Sequence, residues 1–451
     1  MTHQAQFVHL GLFDARVPRY TSYPTAPQFS TAVGAEDFAQ WIEAVPAGSQ
    51  ISLYLHVPFC RRLCWFCACR TQGTSTDEPV KAYVETLKSE IAHLARHLAP
   101  GVTLSRLHWG GGTPTLLAPE LIRDLARAVF DVTPLAKDGE FSVEIDPDEV
   151  DEARLDALVE AGLNRASIGV QDFDPEIQRT IGREQSYELT ARVVQMIRDR
   201  GVKSLNADIL FGLPHQNSTR IIDTVDKLLT LSPDRVALYG YAHVPWMSRR
   251  QQLIPSEAMP TPQERLGLFE TASAIFADAG YEAIGIDHFA LPDDGLAIAH
   301  REGRLHRNFQ GYTDDAAPVL IGLGASSISR FPQGFAQNAS GTSDHTKAIR
   351  AGNFSTYRGH AFSAEDRLRG RIIEAIMCDF AVDFEELRRD YGFETARDLP
   401  MFTAAVQTFG DLVQLSEGGF EIIPQGRPLT RMVAQAFDAY DTGSAKHSAA
   451  I

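Results

Sequence analysis

Residues 56–69 read HVPFCRRLCWFCAC and contain the pattern CxxxCxxC, formed by Cys60, Cys64 and Cys67. Three thiolates this close in sequence can bind three irons of a 4Fe-4S cubane and leave the fourth iron open for a small ligand. A further cysteine, Cys69, follows Cys67 by only two positions, which makes ligation by both in one cluster geometrically awkward. The pattern therefore predicts a cluster with an open iron, at which chemistry takes place.

Zinc is the main alternative ligand for these cysteines. Structural zinc sites usually recruit a second, distant pair of Cys or His ligands, and no such pair is evident in this sequence. A disulfide framework is disfavoured because the remaining cysteine, Cys378, lies alone in an apolar helical stretch that is typical of a buried thiol. Together with the flanking Tyr54-x-His56-x-Pro58-Phe59, the spacing resembles the radical S-adenosylmethionine (SAM) superfamily.

Composition limits the classes of partner. The chain has 451 residues, 44% apolar content and a net charge of −16, so it can bury a large core. Because a polyanion would be repelled over most of the surface, we expect no nucleic-acid partner and no membrane-surface role. An anionic ligand would need a local basic pocket. The sequence shows no membrane-spanning run or signal-peptide core, and its cysteine usage fits a reducing cytoplasm, so we expect a cytoplasmic location.

Strand-like and helix-like segments alternate along most of the chain. The apolar, β-branched runs that predict strands are Ile51–Val57, Leu104–Trp109, Glu140–Ile145, Asn164–Val170, Leu205–Leu210, Arg235–Tyr241 and Tyr281–Ile286. Helical periodicity between them includes a segment behind Asp77 and one that opens on the capping-box pattern Thr261-Pro-Gln-Glu264. The alternation predicts an α/β fold with a partial or complete parallel (β/α) barrel.

Polar or flexible residues follow the predicted strands in succession. Gly110–Thr113 end the second strand, Glu144 and Asp146 the third, Gln171 follows the fourth, and Asp208 lies within the fifth. The carboxyl ends of parallel strands meet at one rim, where barrel enzymes build their active sites. Any one of these carboxylates could instead be a helix cap. As a set they predict a polar site at the rim.

Each of these groups has a plausible task around a sulfonium nucleotide. The triple glycine lets the backbone approach the ligand closely. Glu144 could balance the ammonium group of the ligand, and Asp208 could accept hydrogen bonds from ribose hydroxyls or a second ammonium. Tyr54 and Phe66 could supply stacking surface, although both could equally be core residues.

A narrower resemblance covers nearly the full length. The chain resembles the oxygen-independent coproporphyrinogen III oxidases of haem biosynthesis, which are radical SAM enzymes. The segments that carry the resemblance are PRYTSYPT at 18–25, CxxxCxxCxC at the cluster, HWGGGTPT at 108–115, VEIDP at 143–147, GVQDF at 169–173, DILFGLP at 208–214, DHF at 287–289 and HRNFQGYT at 306–313. The cluster motif marks only the superfamily, whereas the first and last segments are much narrower signals.

The resemblance implies two SAM molecules and a 4Fe-4S cluster held by Cys60, Cys64 and Cys67, with Cys69 not binding iron. The implied contacts of the first SAM are Tyr54, Gly111, Glu144 and Ile328. The implied contacts of the second are Phe66, Gly112, Thr113, Gln171, Arg183, Asp208 and Ala242. The chain departs from the family pattern at Asp148, where a basic residue is expected after EIDP.

The implied substrate is coproporphyrinogen III, a reduced tetrapyrrole with four propionates. Buried carboxylates must be paired and hydrogen-bonded, so the site needs clustered basic groups. The narrow segments offer Arg19 with Tyr20, and His306 with Arg307. Without the resemblance, these residues would be read as ordinary surface charge.

The implied reaction is oxidative decarboxylation of two propionates to vinyl groups, giving protoporphyrinogen IX. An external donor such as flavodoxin or ferredoxin reduces the cluster, and a 5′-deoxyadenosyl radical from SAM removes a hydrogen from the propionate. The cofactors carry the hard step, so no side chain is assigned as catalytic. We expect a monomer.

Three segments organise the chain. Residues 1–35 are expected to cover the substrate, residues 36–345 to form the radical SAM barrel, and residues 346–451 to form a mainly helical lid with a hairpin near 412–424. Within the last segment we predict helices over 361–378, near 384–391 and 397–408, and over 428–440. Helices with a hairpin can also indicate a winged-helix DNA binder, but this segment lacks a concentrated basic face.

Three alternative functions remain at this point. One is a haem chaperone of the same superfamily, which differs after the third cysteine and lacks PRYTSYPT. Another is a radical SAM methyltransferase that opens haem. The third is a non-enzymatic interaction protein stabilised by zinc.

Overall fold

The computed structural model describes residues 3–392, 399–440 and 447–451. The strands of this part of the chain are β1 (Gln50–Val57), β2 (Phe59–Cys60), β3 (Gln72–Gly73), β4 (Thr103–Gly111), β5 (Leu135–Ile145), β6 (Arg165–Gln171), β7 (Ser204–Phe211), β8 (Arg235–Gly240), β9 (Glu282–Ile284), β10 (His288–Ala290), β11 (His306–Asn308), β12 (Gly311–Thr313), β13 (Leu320–Leu323), β14 (Ile328–Phe331), β15 (Gly334–Asn338), β16 (Thr356–Ala361), β17 (Ala381–Asp383), β18 (Val413–Leu415) and β19 (Gly419–Ile422).

The helices of the same residues are α1 (His3–His9), α2 (Ala35–Glu43), α3 (Glu78–His97), α4 (Pro119–Phe130), α5 (Glu152–Glu160), α6 (Pro175–Thr180), α7 (Tyr187–Asp199), α8 (Ser218–Thr230), α9 (Pro262–Asp278), α10 (Gly295–Arg301), α11 (Thr342–Arg350), α12 (Ala364–Asp379), α13 (Phe384–Tyr391), α14 (Pro400–Phe409) and α15 (Thr430–Gln435). Within the described residues, no helix has the length and apolar character needed to cross a bilayer.

Six parallel strands form the centre of a twelve-stranded sheet. They lie side by side in chain order, as β1, β4, β5, β6, β7 and β8. Helices α3, α4, α5, α7 and α8 lie between consecutive strands, as parallel crossovers require. The strand order runs from β16 at one end to β9 at the other, so the sheet is open. The predicted parallel (β/α) barrel is confirmed in its partial form.

Antiparallel strands flank this centre. Strand β13 pairs in parallel with the outer side of β1 and continues into β14, β15 and β16, which are antiparallel. At the other end β10 pairs antiparallel with β8, and β9 pairs antiparallel with β10. The prediction of a further parallel strand over Tyr281–Ile286 was therefore wrong. Only three residues separate β9 from β10, too few for a crossover, and Gly285 at φ 55° helps the chain reverse.

Burial explains why the sequences of the central strands are mostly apolar. In β1 the seven residues from Ile51 to Val57 are buried, apart from the half-buried Tyr54, as expected for a parallel strand that helices cover on one face. The capping box of α9 is confirmed, with Thr261 N–H donating to Glu264 at 2.7 Å. Asp77 precedes α3 as predicted but makes no side-chain cap bond; it pairs with Arg61 of the cysteine loop.

The two ends of the chain share a second apolar core. Phe7, Leu12 and Val17 pack in one cluster with Ile372 and Phe437, and Arg16 forms a β-bridge with Ala449. The N-terminal segment is therefore built onto the C-terminal helices. The division of the chain into three segments at residues 35 and 345 stays a prediction. The large sheet continues beyond residue 345, because β16 is one of its strands.

The C-terminal predictions hold in part. The first helix is α12, the second is α13, and the hairpin is β18–β19. The helix predicted over 428–440 was wrong in extent, since α15 covers only Thr430–Gln435 after a 3-10 stretch that contains Pro428. Strand β17, which completes a three-stranded sheet, was not predicted. Of the piece near 397–408, residues 397 and 398 lie outside the described residues, Leu399 precedes α14, and residues 400–408 belong to α14.

Candidate active site

The cysteine loop leaves β1 at the carboxyl edge of the parallel sheet. Cys60 lies in β2, and its partner across the short parallel pair with β3 is Gly73, so the loop is closed at its base. Cys64 is buried, Cys67 is half-buried and Cys69 is exposed. The three predicted ligands are thus presented by one compact loop.

Each of the three sulfurs has a hydrogen-bond donor nearby. The contacts are the Thr113 side chain on the Cys60 thiol, Arg183 Nη1 at 3.6 Å from Cys64 Sγ, and the Cys69 N–H donating to Cys67 Sγ at 3.4 Å. On Cys67 such bonds lower the pKa of the thiol to about 6, whereas on Cys60 burial outweighs the Thr113 bond and raises the pKa to about 11. The thiolate is the form that binds iron. Among the described residues no group of three His, Cys, Asp or Glu side chains could hold a metal ion together, whereas a cubane takes each thiolate on a separate iron. The residues present fit a cluster of that kind.

Cys69 acts on Cys67 through its own side chain. A hydrogen bond from the Cys69 thiol lowers the pKa of Cys67, and the same contact raises the pKa of Cys69. In this geometry Cys69 is a donor to a neighbouring sulfur, which gives it a task other than binding iron.

Glu144 and Tyr54 lie together inside the barrel. Glu144 accepts a hydrogen bond from the Gly111 N–H at 3.1 Å and lies 3.6 Å from His108 Nε2. Burial opposes ionisation of Glu144, but these partners outweigh it and hold the pKa below its usual range. Tyr54 stacks on His108 with ring centroids 5.8 Å apart and places its hydroxyl 3.0 Å from His56 Nδ1. An ionised carboxylate suited to an ammonium group therefore stands beside an aromatic surface.

Ile328 is more distant from this group. It opens β14, and the register of β13 with β14 and with β1 places it level with Tyr54, with Gly322 of β13 between them. The structure therefore brings together Tyr54, Gly111 and Glu144, and sets Ile328 two strands away at the same height.

The triple glycine is required by close packing. A Cβ on Gly111, at φ 111°, would lie 2.5 Å from the His56 ring, and one on Gly112 would lie 2.6 Å from the Phe59 carbonyl oxygen. Strand β4 can therefore approach the base of the cysteine loop only because these positions carry no side chain. This packing adds a structural reason to the predicted contact with a ligand.

Arg183 links the cysteine loop to β6. It donates to the Gly169 carbonyl at 3.0 Å and lies 3.3 Å from Asp146 Oδ2. Gln171, with φ 69°, ends the same strand, and an added Cβ on Gly169 would meet Gln171 at 3.0 Å and Arg183 at 3.2 Å. Gln171 and Arg183 are therefore neighbours, as the two-SAM assignment requires.

Phe66 and Ala242 also lie close together. Gln251 donates to the Phe66 carbonyl at 2.7 Å and to the Ala242 carbonyl at 3.1 Å. The cysteine loop is thereby tied to the segment that follows β8.

Asp208 shares a cavity of about 210 Å³ with Glu144. Burial raises the pKa of Asp208 to about 6, and the hydrogen bond of 2.8 Å from Asn206 only partly offsets that effect. Tyr239 and His288 line the same cavity. Two carboxylates predicted to contact different SAM molecules therefore face one space inside the barrel.

A second cavity, of about 270 Å³, is strongly basic. Its lining arginines are Arg19, Arg265, Arg307, Arg427 and Arg431. Asp287 is its one acidic side chain among the described lining residues. In a chain of net charge −16, this local reversal of sign is the basic pocket that composition predicts for an anionic ligand.

The charges of this cavity are poorly neutralised. Arg265 donates to the backbone oxygens of Gly212, Tyr241 and Ile451, at 3.2, 2.8 and 3.1 Å, and burial lowers its pKa to about 10. Burial also lowers the pKa of Arg431, to about 9. Arg307 is 8% exposed, lies 3.8 Å from Asp287, and has no hydrogen-bond partner at Nε or Nη1 among the described residues. An anion entering here would meet free and weakly compensated cations.

Tyr20 and His306 line a third cavity, of about 410 Å³, which shares Arg307 with the second. Both are engaged within the protein. The Tyr20 hydroxyl donates to Asp438 at 3.0 Å, and His306 Nδ1 lies 3.3 Å from Glu374. Of the four residues predicted to contact substrate, Arg19 and Arg307 therefore share the basic cavity, while Tyr20 and His306 have carboxylate partners beside it.

Comparison with known proteins decides the family of this chain. The model of the Radical SAM superfamily matches residues 54–228. An oxygen-independent coproporphyrinogen III oxidase of Paracoccus denitrificans is 66% identical over 451 residues, covering 100% of both chains. The chain belongs to the oxygen-independent coproporphyrinogen III oxidase family.

Family members of lower identity match over nearly the same length. The Escherichia coli oxidase is 37% identical over 94% of this chain and 93% of its own. A solved structure of coproporphyrinogen III oxidase from Escherichia coli, described as a radical SAM enzyme, has a TM-score of 0.89 at 36% identity and covers 95% of this chain and 100% of its own. The architecture of this family member is therefore that of the family across both the barrel and the terminal segments.

Two features of this family member escaped sequence reasoning. Asp148, which departs from the expected family pattern, forms an ion pair with Arg62 of the cysteine loop, so it steadies that loop from the end of β5. Arg265 and Arg431 were not predicted at all. For Arg265 the sequence did offer a signal. This arginine stands beside Leu266 and Leu268 in α9, at a position where an apolar side chain is expected to be buried.

Proposed function

We propose that this chain converts two propionate side chains of coproporphyrinogen III into vinyl groups, giving protoporphyrinogen IX, as the oxygen-independent step of haem biosynthesis. The full-length similarity to oxidases of that name favours this activity over the haem-chaperone and haem-opening methyltransferase alternatives. One structural observation carries the assignment of the substrate. The arginine cavity adjoins the cavity of Glu144 and Asp208, and His288 lines both.

Membership of the radical SAM family implies a 4Fe-4S cluster and SAM. Cys60, Cys64 and Cys67 would hold the cluster, and the donors from Thr113, Arg183 and Cys69 would stabilise the thiolates. When bound, these cofactors supply a radical able to remove a hydrogen from the β-carbon of a propionate. The chain contributes binding, orientation and an interior from which water and oxygen are kept away.

Two SAM molecules are part of the proposal. The first would contact Tyr54, Gly111, Glu144 and Ile328. The second would contact Phe66, Gly112, Thr113, Gln171, Arg183, Asp208 and Ala242. What supports a pair is the presence of two differently tuned carboxylates, Glu144 and Asp208, in one cavity.

The propionates would be held by the basic cavity. Arg307 has free donors. Arg265 donates only to backbone oxygens, those of Gly212, Tyr241 and Ile451. Both would gain a side-chain-like ionic partner from a propionate carboxylate. We assign Arg19 and Arg431 to the same anchor, and place Tyr20 and His306 at its edge. Residues 1–35 and the C-terminal helices would enclose the substrate.

Three further points complete the proposal. An external one-electron donor such as flavodoxin or ferredoxin supplies reducing electrons, and the chain acts as a monomer. Its location is the cytoplasm; the cysteine usage supports this part of the proposal, because disulfides are rare there.

Removing an anchor arginine should impair the substrate reaction more than SAM cleavage. For Arg307→Ala and Arg265→Ala we expect kcat/KM for vinyl formation to fall, by an amount that corresponds to about 2–5 kcal/mol of activation free energy. This is the usual cost of removing one partner of a desolvated charge pair. Reductive SAM cleavage without tetrapyrrole should change little. The assay follows both products by chromatography, with Arg192→Ala on the exposed face of α7 as control. Normal vinyl formation in both variants would show that Arg307 and Arg265 do not bind the substrate.

A further inference from the structure

The segment after β8 carries an unusual exposed apolar surface. Among the described residues six large apolar side chains are exposed, and three of them, Trp246, Met247 and Leu253, fall within eight positions. Their exposed fractions are 43%, 69% and 59%. We call these three residues the apolar patch. Three exposed apolar side chains on one short segment make that segment a candidate for an interaction site, whereas single exposed apolar residues are ordinary.

The patch is mounted on a fixed platform. Gln251 is fully buried, and it accepts a hydrogen bond from the Val244 N–H at 2.6 Å in addition to its two donated bonds. Val244 and Ile254, at either end of the segment, are buried as well. The exposed side chains are therefore held outward by an anchored backbone.

The platform rests directly on the cysteine loop. Gln251 donates to the Phe66 carbonyl, and Arg250 lies 3.4 Å from the Cys69 carbonyl and 3.2 Å from Thr71 Oγ1. The segment that carries the patch is therefore in direct contact with the loop that carries the predicted cluster ligands.

The charge of this surface is opposite to that of the chain. Residues 56–73 and 244–256 together contain five arginines and no Asp or Glu, although the whole chain has 58 acidic and 42 basic residues. Arg61 and Arg62 are paired with acidic residues from elsewhere. In the described part of the chain Arg70, Arg249 and Arg250 have no such ion pair, and Arg16 lies over the Trp246 ring at 4.9 Å. The rim of the patch is therefore basic and uncompensated.

We propose that the apolar patch and its arginine rim are the docking surface for an acidic protein that carries one electron to the cluster. This proposal rests on the proposed function, because a radical SAM enzyme must receive an electron at its cysteine loop. One electron leaves the reduced carrier and enters the cluster, and no bond is made or broken in the carrier complex. An apolar centre with a charged rim of complementary sign suits a transient partner, since the rim speeds encounter while the centre excludes water.

Two substitutions, one in the apolar patch and one in its arginine rim, test the docking surface without changing the cofactor site. Met247→Glu and Arg249→Glu change exposed side chains, and Ile222→Glu on α8 and Arg192→Glu on α7 are matched controls elsewhere on the surface. Reconstituted enzyme is supplied either with a photoreduced bacterial flavodoxin, which must dock, or with dithionite, which need not. The readout is the initial rate of SAM cleavage without tetrapyrrole.

We expect the flavodoxin-dependent rate of both patch variants to fall by about tenfold or more, with weaker salt dependence, because steering by complementary charge commonly contributes factors of that size. The dithionite-dependent rate should match wild type, and both controls should be normal with either reductant. Equal losses with both reductants, or no loss with flavodoxin, would overturn the docking surface. A wild type that cleaves no SAM even with dithionite would instead count against the proposed function.

A binding readout on wild-type protein covers the case in which a variant fails to fold. Oxidative footprinting by mass spectrometry should show Met247 protected when oxidised flavodoxin is added at low salt, and unprotected at high salt. Concentration-dependent protection without flavodoxin would identify the patch as a contact between two copies of this chain and contradict the proposal.

Discussion

Replacing Cys64 with serine is expected to leave anaerobically reconstituted protein without a 4Fe-4S cluster. Cys64 is the buried member of the three predicted ligands, and its sulfur is the one that Arg183 contacts. A serine hydroxyl is a poor ligand for iron, and Cys69, the other thiol of the loop, is engaged with Cys67. Iron content and the visible absorption of the cluster should fall to background, and reductive SAM cleavage should be lost.

Cys69→Ser is the matched control for this prediction. Because Cys69 is a donor to Cys67 and is exposed, its removal should retain iron and the cluster spectrum while shifting the reduction potential. Full iron content and SAM cleavage in Cys64→Ser, or loss of the cluster in Cys69→Ser, would contradict the three-cysteine assignment.

Asp208→Asn is expected to block vinyl formation while preserving the cluster. The substitution removes a charge from the barrel cavity but leaves Glu144 and the cysteine loop intact. Wild-type protein should bind two equivalents of SAM and Asp208→Asn one, as measured by equilibrium dialysis with labelled SAM under anaerobic conditions. A single equivalent in wild type would refute the two-SAM proposal.

The same carboxyl predicts a pH dependence. Burial raises the pKa of Asp208 to about 6, so its charged form is present above that pH and is lost as the pH falls through it. The second equivalent of SAM should therefore dissociate between about pH 7 and pH 5. Glu144, whose pKa is held low by its partners, should keep the first equivalent over that range. If two equivalents of SAM remained bound at pH 5, Asp208 would not be a contact of the second SAM.

The parallel half of the fold was predictable because it is locally encoded. Buried, largely apolar runs such as β1 and β7 alternate with helices of clear periodicity. Each crossover is long enough to be recognised in the sequence. The short antiparallel strands were not predictable, since β9 and β10 have three residues each. They form only because β10 pairs with β8 and β9 pairs with β10. Tertiary contacts rather than local propensity decide such strands.

The site shows the same division. The cysteines, the glycines and Glu144 could be predicted as neighbours, because motif spacing places them on one loop and two adjacent strands. Arg265 and Arg431 were missed because their convergence depends on α9 meeting the C-terminal helices, a contact between residues far apart in sequence. Tyr20 and His306 were predicted from narrow motifs, but no local pattern could reveal that Asp438 and Glu374 engage them.

Product analysis tests the central claim most directly. Reconstituted protein is incubated anaerobically with coproporphyrinogen III, SAM and a reductant, and the tetrapyrroles are oxidised and separated by chromatography. The account predicts protoporphyrin, with release of two molecules of carbon dioxide for each one formed, and no conversion by Cys64→Ser. Reductive cleavage of SAM with all four propionates left intact, or a ring-opened or methylated tetrapyrrole, would contradict it.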